Sequence, residues 1–505
     1  MMVSFIALTS LLFQALFART YGGVGDDGVH SIFATPDSGF IMAGYTASFG
    51  SGGTDFLVIK LSPSGALQWS RTFGGTADDW AYSIAGTPDG GFVVAGYTAS
   101  FGSGGTDFLV IKLSSSGSLE WAKTFGGPGD ERAYSIAGTP DGGFVVAGYT
   151  ASFGSGGTDF LVIKLSSSGS LEWAKTFGGA QYDWASSLVR TSDGGIAVAG
   201  YTASLGNGGA DFLALKLSSS GNLEWAKTFG GLDDEWAYSI AEIPGSDLVL
   251  AGYTSSFSVG PADALLLRIS SSGDLRWVRT LGGGAGDYSC KVEWCPDGTL
   301  IFVGYTSSFG AGWGDILVFK MSSTGNLVWA RTFGGTDDEQ PSSLAVTQHG
   351  GIAVAGRTMS SGAGSWDCVL FQLDSGGNYS DCAYACYPTV ATPFLFTTLP
   401  AGLLDCVATE GSPGISSTTP GINVADVCPP AVEEDGSASG SDINCSLIPR
   451  AVLFISSSLS PLRIYYPDGR LAYSGRLERG ENRINLDPGV YIWIVGPYRG
   501  KAVIR

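Results

Sequence analysis

The tripeptide Gly-Tyr-Thr begins at Gly44, Gly96, Gly148, Gly200, Gly252 and Gly304, and Gly-Arg-Thr follows at Gly356. Every step is 52 residues, with no insertion or deletion. The unit between Thr72 and Lys123 therefore returns seven times, and a fixed period of this length marks a repeat architecture. Such a unit cannot bury its own apolar face, so neighbouring copies must stack. The chain is one cooperative array before it is anything else.

Each copy reads as four short β runs. In the second copy they are Ala81–Thr87, Phe92–Thr98, Asp107–Leu113 and Ser118–Phe125. Pro88-Asp89-Gly90-Gly91 closes the first run with a φ-fixing proline and permissive glycines. A longer Gly/Ser loop, Ala99–Thr106, precedes the third run, and Ser114–Gly117 turns into the fourth. The 77 glycines concentrate in such turns, between runs rich in Val, Ile, Phe and Tyr, which is an all-β composition. Four antiparallel strands per repeat describe a propeller blade, so the expected fold is a seven-bladed β-propeller.

The last two strands of a blade permit a register expectation. Pairing Leu113 with Leu119 sets Ile111 opposite Trp121, Leu109 opposite Lys123, Val110 opposite Ala122 and Lys112 opposite Glu120. Aromatic–β-branched and opposite-charge pairs of this kind stabilise sheets. Lys164–Glu172 and Lys216–Glu224 repeat the charge pair, whereas the fifth copy sets Arg268 opposite Arg276, with Asp274 as the relieving charge.

Counting strands gives a sharper result. The fourth-strand signature, aromatic-x-basic-Thr-x-Gly-Gly, starts at Trp69, Trp121, Trp173, Trp225, Trp277 and Trp329, and Phe17 stands one period earlier, in Phe17–Gly23. At the far end Asp381 occupies the place where Trp is due. Fourth strands and the other three are thus offset by one copy. The N-terminal segment is expected to complete the last blade and close the ring, which removes open edges.

Around the propeller, residues 16–374, lie three further segments. Residues 1–18 are apolar and uncharged and read as a secretion leader overlapping the closing strand. Cleavage after Ala18 would remove Phe17, so retention from at least Arg19 is expected. Residues 375–450, rich in Pro, Ser, Thr, Gly and Cys, read as a linker or small disulfide-pinned module, and 451–505 as a C-terminal β-sandwich. No later stretch is long and apolar enough for a stable membrane span. Eight cysteines fit disulfides in an oxidising compartment. Cys290, Cys295 and Cys368 are also explained by core packing, and Cys382-x-x-x-Cys386 lacks the partners of a zinc site. A net charge of −19 argues against nucleic acid as a partner, because phosphate binding needs clustered Lys and Arg.

The Trp-Ala-Lys-Thr-Phe-Gly-Gly and Ala-Gly-Tyr-Thr motifs resemble the bacterial SBBP-type β-propeller repeats, over Phe17 to about Leu373. That resemblance implies a secreted or surface protein. The tail is similar to the C-terminal sorting domain of type IX secretion cargo. It carries Leu462-Arg463-Ile464-Tyr465, Asp468-Gly469-Arg470-Leu471, Gly489-Val490-Tyr491 and the terminal Gly500-Lys501-Ala502-Val503-Ile504-Arg505. This implies a small β-sandwich read by the secretion machinery.

Two positions carry a carboxylate in every copy. The first is Asp27, Asp79, Glu131, Asp183, Glu235, Asp287 and Glu339; the second is Asp55, Asp107, Asp159, Asp211, Asp263, Asp315 and Asp367. In a propeller both loops open on one face, so the array is expected to present both rings there. Converging oxygens hold Ca²⁺, and Ca²⁺ is the cofactor these rings would take. An ion pair from Asp107 to Lys123, repeated in each blade, together with an Asx-type turn accounts for the second ring without a metal.

Catalysis needs unlike groups converging at one point, and residues 81–123 and 133–175 are identical. His30, in a strand, and His349, in a turn, share no repeat position, and the Ser114–Ser116 runs have no base nearby. Pyrroloquinoline-quinone dehydrogenases also have Trp-bearing blades, but their vicinal Cys pair is absent. Loops such as Gly102–Gly105 lead into no helix and so cradle no phosphate. Phe49, Phe101, Phe153, Phe257 and Phe309, with Leu205 in copy four, are expected to pack between blades. The expected function is an exported, cell-surface or extracellular binding or structural scaffold with no catalytic residues, engaging protein or glycan through many weak contacts. The alternative is a secreted hydrolase- or lyase-like enzyme whose site gathers where copies diverge, around Cys290–Trp294, Trp313 and Trp366.

Overall fold

The computed structural model describes residues 17–378 apart from Ala311 and Ala363, and beyond them only the backbone of short strands between Leu395 and Ile504. The seven repeats form seven antiparallel sheets with the strand order expected of propeller blades, and no helix occurs among the described residues. Blade two runs Asp79–Gly86, Phe92–Thr98, Asp107–Leu113 and Leu119–Gly126. The two middle strands match the expected bounds, while the first begins two residues earlier and the fourth one residue later.

The middle strands are buried along their whole length. Each blade packs face to face against both neighbours, so these strands need apolar residues on both sides and read as continuous runs. One core cluster joins Ala199, Phe212 and Ala214 of the fourth blade to Ile240, Leu250 and Leu267 of the fifth. Burial of this kind, at about 25 cal/mol per Å² of apolar surface, is what holds blades together.

Two β-bulges reshape the sheet in each of blades two to six. In the innermost strand Ala81 pairs with Gly96 and Ser83 with Ala95, so Tyr82 is the extra residue. The glycine of Gly-Tyr-Thr is required here, because a Cβ on Gly96 would strike the Trp80 carbonyl oxygen. In the outer strand Leu113 pairs with Leu119 but Lys112 pairs with Trp121, leaving Glu120 bulged out. The expected register is therefore corrected: Ile111 faces Ala122 and Val110 faces Lys123. A bulge opposes two residues to one and bends the strand, and periodicity cannot register it.

The charge pairs form despite the slip. Lys164 Nζ lies 3.1 Å from Glu172 and 2.9 Å from Asp141 of the first turn, and Lys216 lies 3.5 Å from Glu224 and 3.0 Å from Asp193. Lys112 pairs with both Asp89 and Glu120. In the fifth blade Asp247 pairs with both arginines, at 2.9 Å from Arg268 and 3.8 Å from Arg276. The Asp274 carboxylate accepts from the Ser272 hydroxyl and adds only a weaker, unpaired attraction toward Arg276.

The ring closes as expected. Ala18–Tyr21 pairs antiparallel with Asp367–Leu373, Ala18 opposite Phe371 and Tyr21 opposite Cys368. Phe17 extends this joint: its carbonyl accepts from the Gln372 N–H at 2.8 Å, and its ring, 7% exposed, packs among Val29, Phe40 and Leu370.

Cys295 and Cys368 are buried free thiols, as core packing predicts, and Cys290 is a half-buried one. The leader and Cys382, Cys386, Cys406 and Cys428 lie outside the described residues, as does the side chain of Cys445. In the C-terminal segment Ile443–Ile448, Ala451–Ser456 and Gly480–Asn485 form one antiparallel sheet. Ser460–Tyr465, Leu471–Leu477, Gly489–Val495 and Tyr498–Ile504 form another.

Candidate functional site

The links between blades and the loops between second and third strands emerge at the same end of the ring, as the topology requires. The two carboxylate rings, however, are not presented there. Asp27, Asp79, Glu131, Asp183, Glu235, Asp287 and Glu339 are buried, as are Asp55, Asp107, Asp159, Asp211, Asp263, Asp315 and Asp367. Their oxygens fasten loop backbone. Asp27 accepts from Gly23 N–H at 2.7 Å and Ser48 Oγ at 2.6 Å. Glu235 accepts from Gly231 N–H and Thr254 Oγ1, each at 2.6 Å. Asp107 accepts from Ser103 N–H at 2.9 Å and Asp211 from Asn207 N–H at 2.8 Å, which close the loops ahead of the third strand.

The expected Asp107–Lys123 ion pair does not fit the observed register. The bulge at Glu120 sets Val110 opposite Lys123, so Asp107 and Lys123 point to opposite faces of the blade. Each second-ring aspartate instead meets a first-ring carboxylate of the next blade, over the first glycine of the Gly-Gly pair. Burial, reinforced by that neighbouring charge, pushes Asp55, Asp107 and Asp159 up to about 6 and Asp211 to about 7. Among the described residues the acidic groups meet as pairs, and no cluster of three or more His, Cys, Asp or Glu forms.

The face has a second feature, at the axis. The bulged residue of each innermost strand lines the central channel: His30, Tyr82, Tyr134, Ser186, Tyr238, Cys290 and Ser342. Together with Trp184, Tyr201 and Trp236 they enclose a cavity of about 450 Å³. The His30 ring stacks on Tyr82 at 4.6 Å, and its Nδ1–H donates to Ala81 O at 2.8 Å. Burial pushes its pKa down to about 4, so the ring is neutral at physiological pH. His30 therefore does occupy a repeat position, one shared with Tyr82 and Tyr134 rather than with another histidine. Burial pushes the Cys290 thiol up to about 12.

Around the mouth runs a collar of stacked planes at the first four blade junctions, and at the fifth Tyr253 meets Tyr288 edge-on. At these junctions the tyrosine of Gly-Tyr-Thr packs against the second residue of the next innermost strand. Tyr45 stacks on Trp80 at 4.3 Å, Tyr149 on Trp184 at 4.5 Å and Tyr201 on Trp236 at 4.3 Å. At the second junction the stacking partner is a guanidinium, Arg132, 4.4 Å over Tyr97. At the ring closure Arg357 replaces the tyrosine. It lies 4.4 Å over Trp366 and donates to Tyr45 Oη at 2.8 Å and Gln340 Oε1 at 3.1 Å.

The loops around this collar are one-signed. The links 22–26, 74–78, 126–130, 178–182, 230–234, 282–286 and 334–338 contain Asp26, Asp78, Asp130, Asp233, Asp234, Asp337 and Asp338. Neither these links nor the seven loops that begin at Ala47, Ala99, Ala151, Ala203, Ser255, Ser307 and Met359 contain a single Lys, Arg or His. On the opposite face the turn aspartates are answered by lysines, as Asp193 is by Lys216. Exposed apolar side chains also stand on the loop face, among them Val24, Leu232 and Trp313.

Of the collar only the Gly-Tyr-Thr motif and Trp366 were singled out from sequence, neither as part of an aromatic ring around the axis. Its signal was present: the columns at Gly28 and His30 change size and polarity from copy to copy, while the column at Asp27 stays acidic and that at Ser31 is serine in six of seven copies. The divergent residues named for an enzyme lie in three different settings. Cys290 is on the channel wall, Trp313 is on an exposed loop tip and Trp366 lies beside Arg357. The loop phenylalanines do pack at blade junctions, Phe101 over Gly75 and Phe153 over Gly127. His349 stands where five other copies carry the turn aspartate, and its copy has Gln372 in place of the basic residue of the other six.

A family model described as "Domain of unknown function (DUF5122) beta-propeller" matches residues 87–120 and 139–172. The chain is a β-propeller repeat protein. No curated protein matches the sequence. Among solved structures the propeller chain is similar to Sqt1 from Chaetomium thermophilum, with 13% identity, TM-score 0.40, and coverage of 72% of this chain and 100% of that one. It is also similar to a puromycin hydrolase S511A mutant complexed with PGG (12%, TM-score 0.40, 71% and 55%). A third is a protein of unknown function from Bacteroides caccae (11%, TM-score 0.31, 56% and 92%).

Proposed function

We propose that this propeller is an exported, cell-surface or extracellular binding scaffold whose partner, protein or glycan, docks on the loop face over the mouth of the channel. One observation carries the reading: an aromatic-walled cavity of about 450 Å³ opens on the face whose loops carry aspartates and no cation. Concave, largely apolar sites with a few polar groups are where ligands bind, and loops on a rigid scaffold are where function concentrates. Delivery is assigned to residues 451–505 as the secretion signal, supported by the terminal Gly500–Arg505 motif. Non-catalytic binding is favoured over a hydrolase or lyase, because a thiol as high as Cys290 is protonated at neutral pH and a poor nucleophile.

Two measurements test this. Mass spectrometry of the exported protein should find residues 451–505 removed; an intact tail on the mature protein counts against the delivery half. Glycan and surface-protein arrays probed with the full chain and with Trp184→Ala/Trp236→Ala should show a partner that the variant loses. A partner retained at full strength by the folded variant refutes the placement of the site.

A further inference from the structure

The chemistry of the docking partner can be narrowed, and this step rests on the loop-face reading above. We infer that the collar recognises a basic protein segment through an arginine guanidinium, seated against the edge or free face of a half-buried tryptophan at a blade junction.

Three independent observations converge. First, the chain itself places guanidinium groups in the collar. Arg132 takes, at the second junction, the position held by Trp80, Trp184 and Trp236 at others, and lies 4.4 Å over the Tyr97 ring. Arg357 lies at the same distance over Trp366. The aromatic planes of this collar are thus spaced to accept a flat cation, which the negative ring face attracts. Second, the hydroxyl of Tyr45 accepts from Arg357 at 2.8 Å, so a stacked guanidinium finds its edge acceptors among collar tyrosines. A planar fork of donors uses such acceptors; a lysine ammonium has no plane to stack. Third, the surrounding links carry aspartates with no opposing charge in any loop of the face. A one-signed rim of this kind steers and retains a partner of opposite sign. A neutral glycan would use the aromatic planes but would leave the aspartate rim without a role.

Asp78, Asp130 and Asp234 also show how the rim stays in place without a cation. Asp78 Oδ1 accepts from Thr54 N–H at 2.9 Å, Asp130 Oδ1 from Thr106 N–H at 2.8 Å, and Asp234 Oδ1 from Ala210 N–H at 2.9 Å. Each is fixed through one oxygen and remains exposed. An asparagine keeps the acceptor and removes the charge.

The test is titration of the full chain, followed by tryptophan fluorescence and calorimetry. The probe is an eight-residue peptide alternating glycine and arginine, set against the same peptide with lysine or citrulline. The arginine peptide should bind at least tenfold more tightly than either, with affinity falling steeply as salt rises. Asp78→Asn/Asp130→Asn/Asp234→Asn should weaken it about tenfold and flatten the salt dependence. Trp236→Ala should abolish the preference for arginine over lysine, and Trp236→Phe should restore it. Equal binding of the arginine and lysine peptides shows bulk charge only and overturns the inference, as does equal binding of the citrulline peptide. A neutral hexasaccharide that quenches tryptophan where the arginine peptide does not also overturns it, while leaving the loop-face reading intact. If neither probe perturbs the collar, both fail.

Discussion

Phe17→Ala is the most direct test of how the ring is closed. Phe17 sits immediately ahead of the closing strand, 7% exposed, edge-on to Phe40 at 6.1 Å and over Gly65. Burying a phenylalanine stabilises by roughly 1.5–3 kcal/mol, and the cavity left by truncation raises the cost of Phe→Ala to about 3–5 kcal/mol. Phe17 borders the end of a strand, where neighbours can relax, so the lower part of that range, about 3 kcal/mol, is expected. Urea unfolding of a chain that retains Phe17 should show the midpoint falling with the slope unchanged. Phe49→Ala, on a residue 44% exposed, is the matched control and should cost under about 1 kcal/mol. A loss below about 1 kcal/mol for Phe17→Ala would refute the claim that this residue anchors the joint. It would also remove the objection to a leader that ends after Ala18.

Other expectations follow from the buried charges. Asp211, up at about 7 in the fold against 3.8 ordinarily, holds its proton more tightly when folded, so its ionisation opposes folding above pH 7 and that cost is relieved as pH falls toward 4. Asp55, Asp107 and Asp159 act the same way through about 6. Asp193, held down at about 2, contributes stability that is lost below about pH 4. Thermal melts should therefore be highest near pH 4–5 and fall toward pH 8, with Asp211→Asn flattening the alkaline limb; a melt that rises steadily to pH 8 contradicts this. Asp193→Ala leaves the Lys216 ammonium, 2% exposed, with only Glu224 at 3.5 Å, and should cost about 1–2 kcal/mol after discounting for the solvent-exposed partner. Adding Lys216→Gln should recover part of that loss in a double-mutant cycle, as expected from the joint Gln372 and His349 change in the seventh copy. Gly230→Ala, whose Cβ would collide with Asp211 and Glu235, should cost about 1–3 kcal/mol by overpacking, whereas Gly138→Ala meets nothing within 4 Å and should be near neutral.

Blade number, strand count and ring closure were legible because each depends on a pattern that survives along one chain: the 52-residue step, the alternation of runs and turns, and the lone Phe17 signature. The outer-strand register was not. The extra residue at Glu120 arises where a twisting sheet must bend, and Lys112 still reaches Glu120 after the slip, so the charge pattern alone supported the wrong pairing. The same slip turned Asp107 away from Lys123. Placing the carboxylates on the loop face was right in direction, but their burial depends on loop backbone folding over them, as Ser103 does over Asp107. The collar was hidden for a different reason. His30, Tyr82 and Cys290 are neighbours only around the axis, and their kinship appears when seven copies are read as columns rather than as a line.

The joint at Ala18–Tyr21 has a consequence for how such a chain can change. Residues 81–123 and 133–175 are identical, so unequal exchange between them would add or remove one whole unit in register. Because the closing strand comes from the opposite end of the array, the seam between Tyr21 and Cys368 has the same chemistry however many units lie between. A ring latched in this way can change circumference without redesigning its clasp. The angle each blade must subtend then limits its size, and each added unit brings one more variable position to the collar.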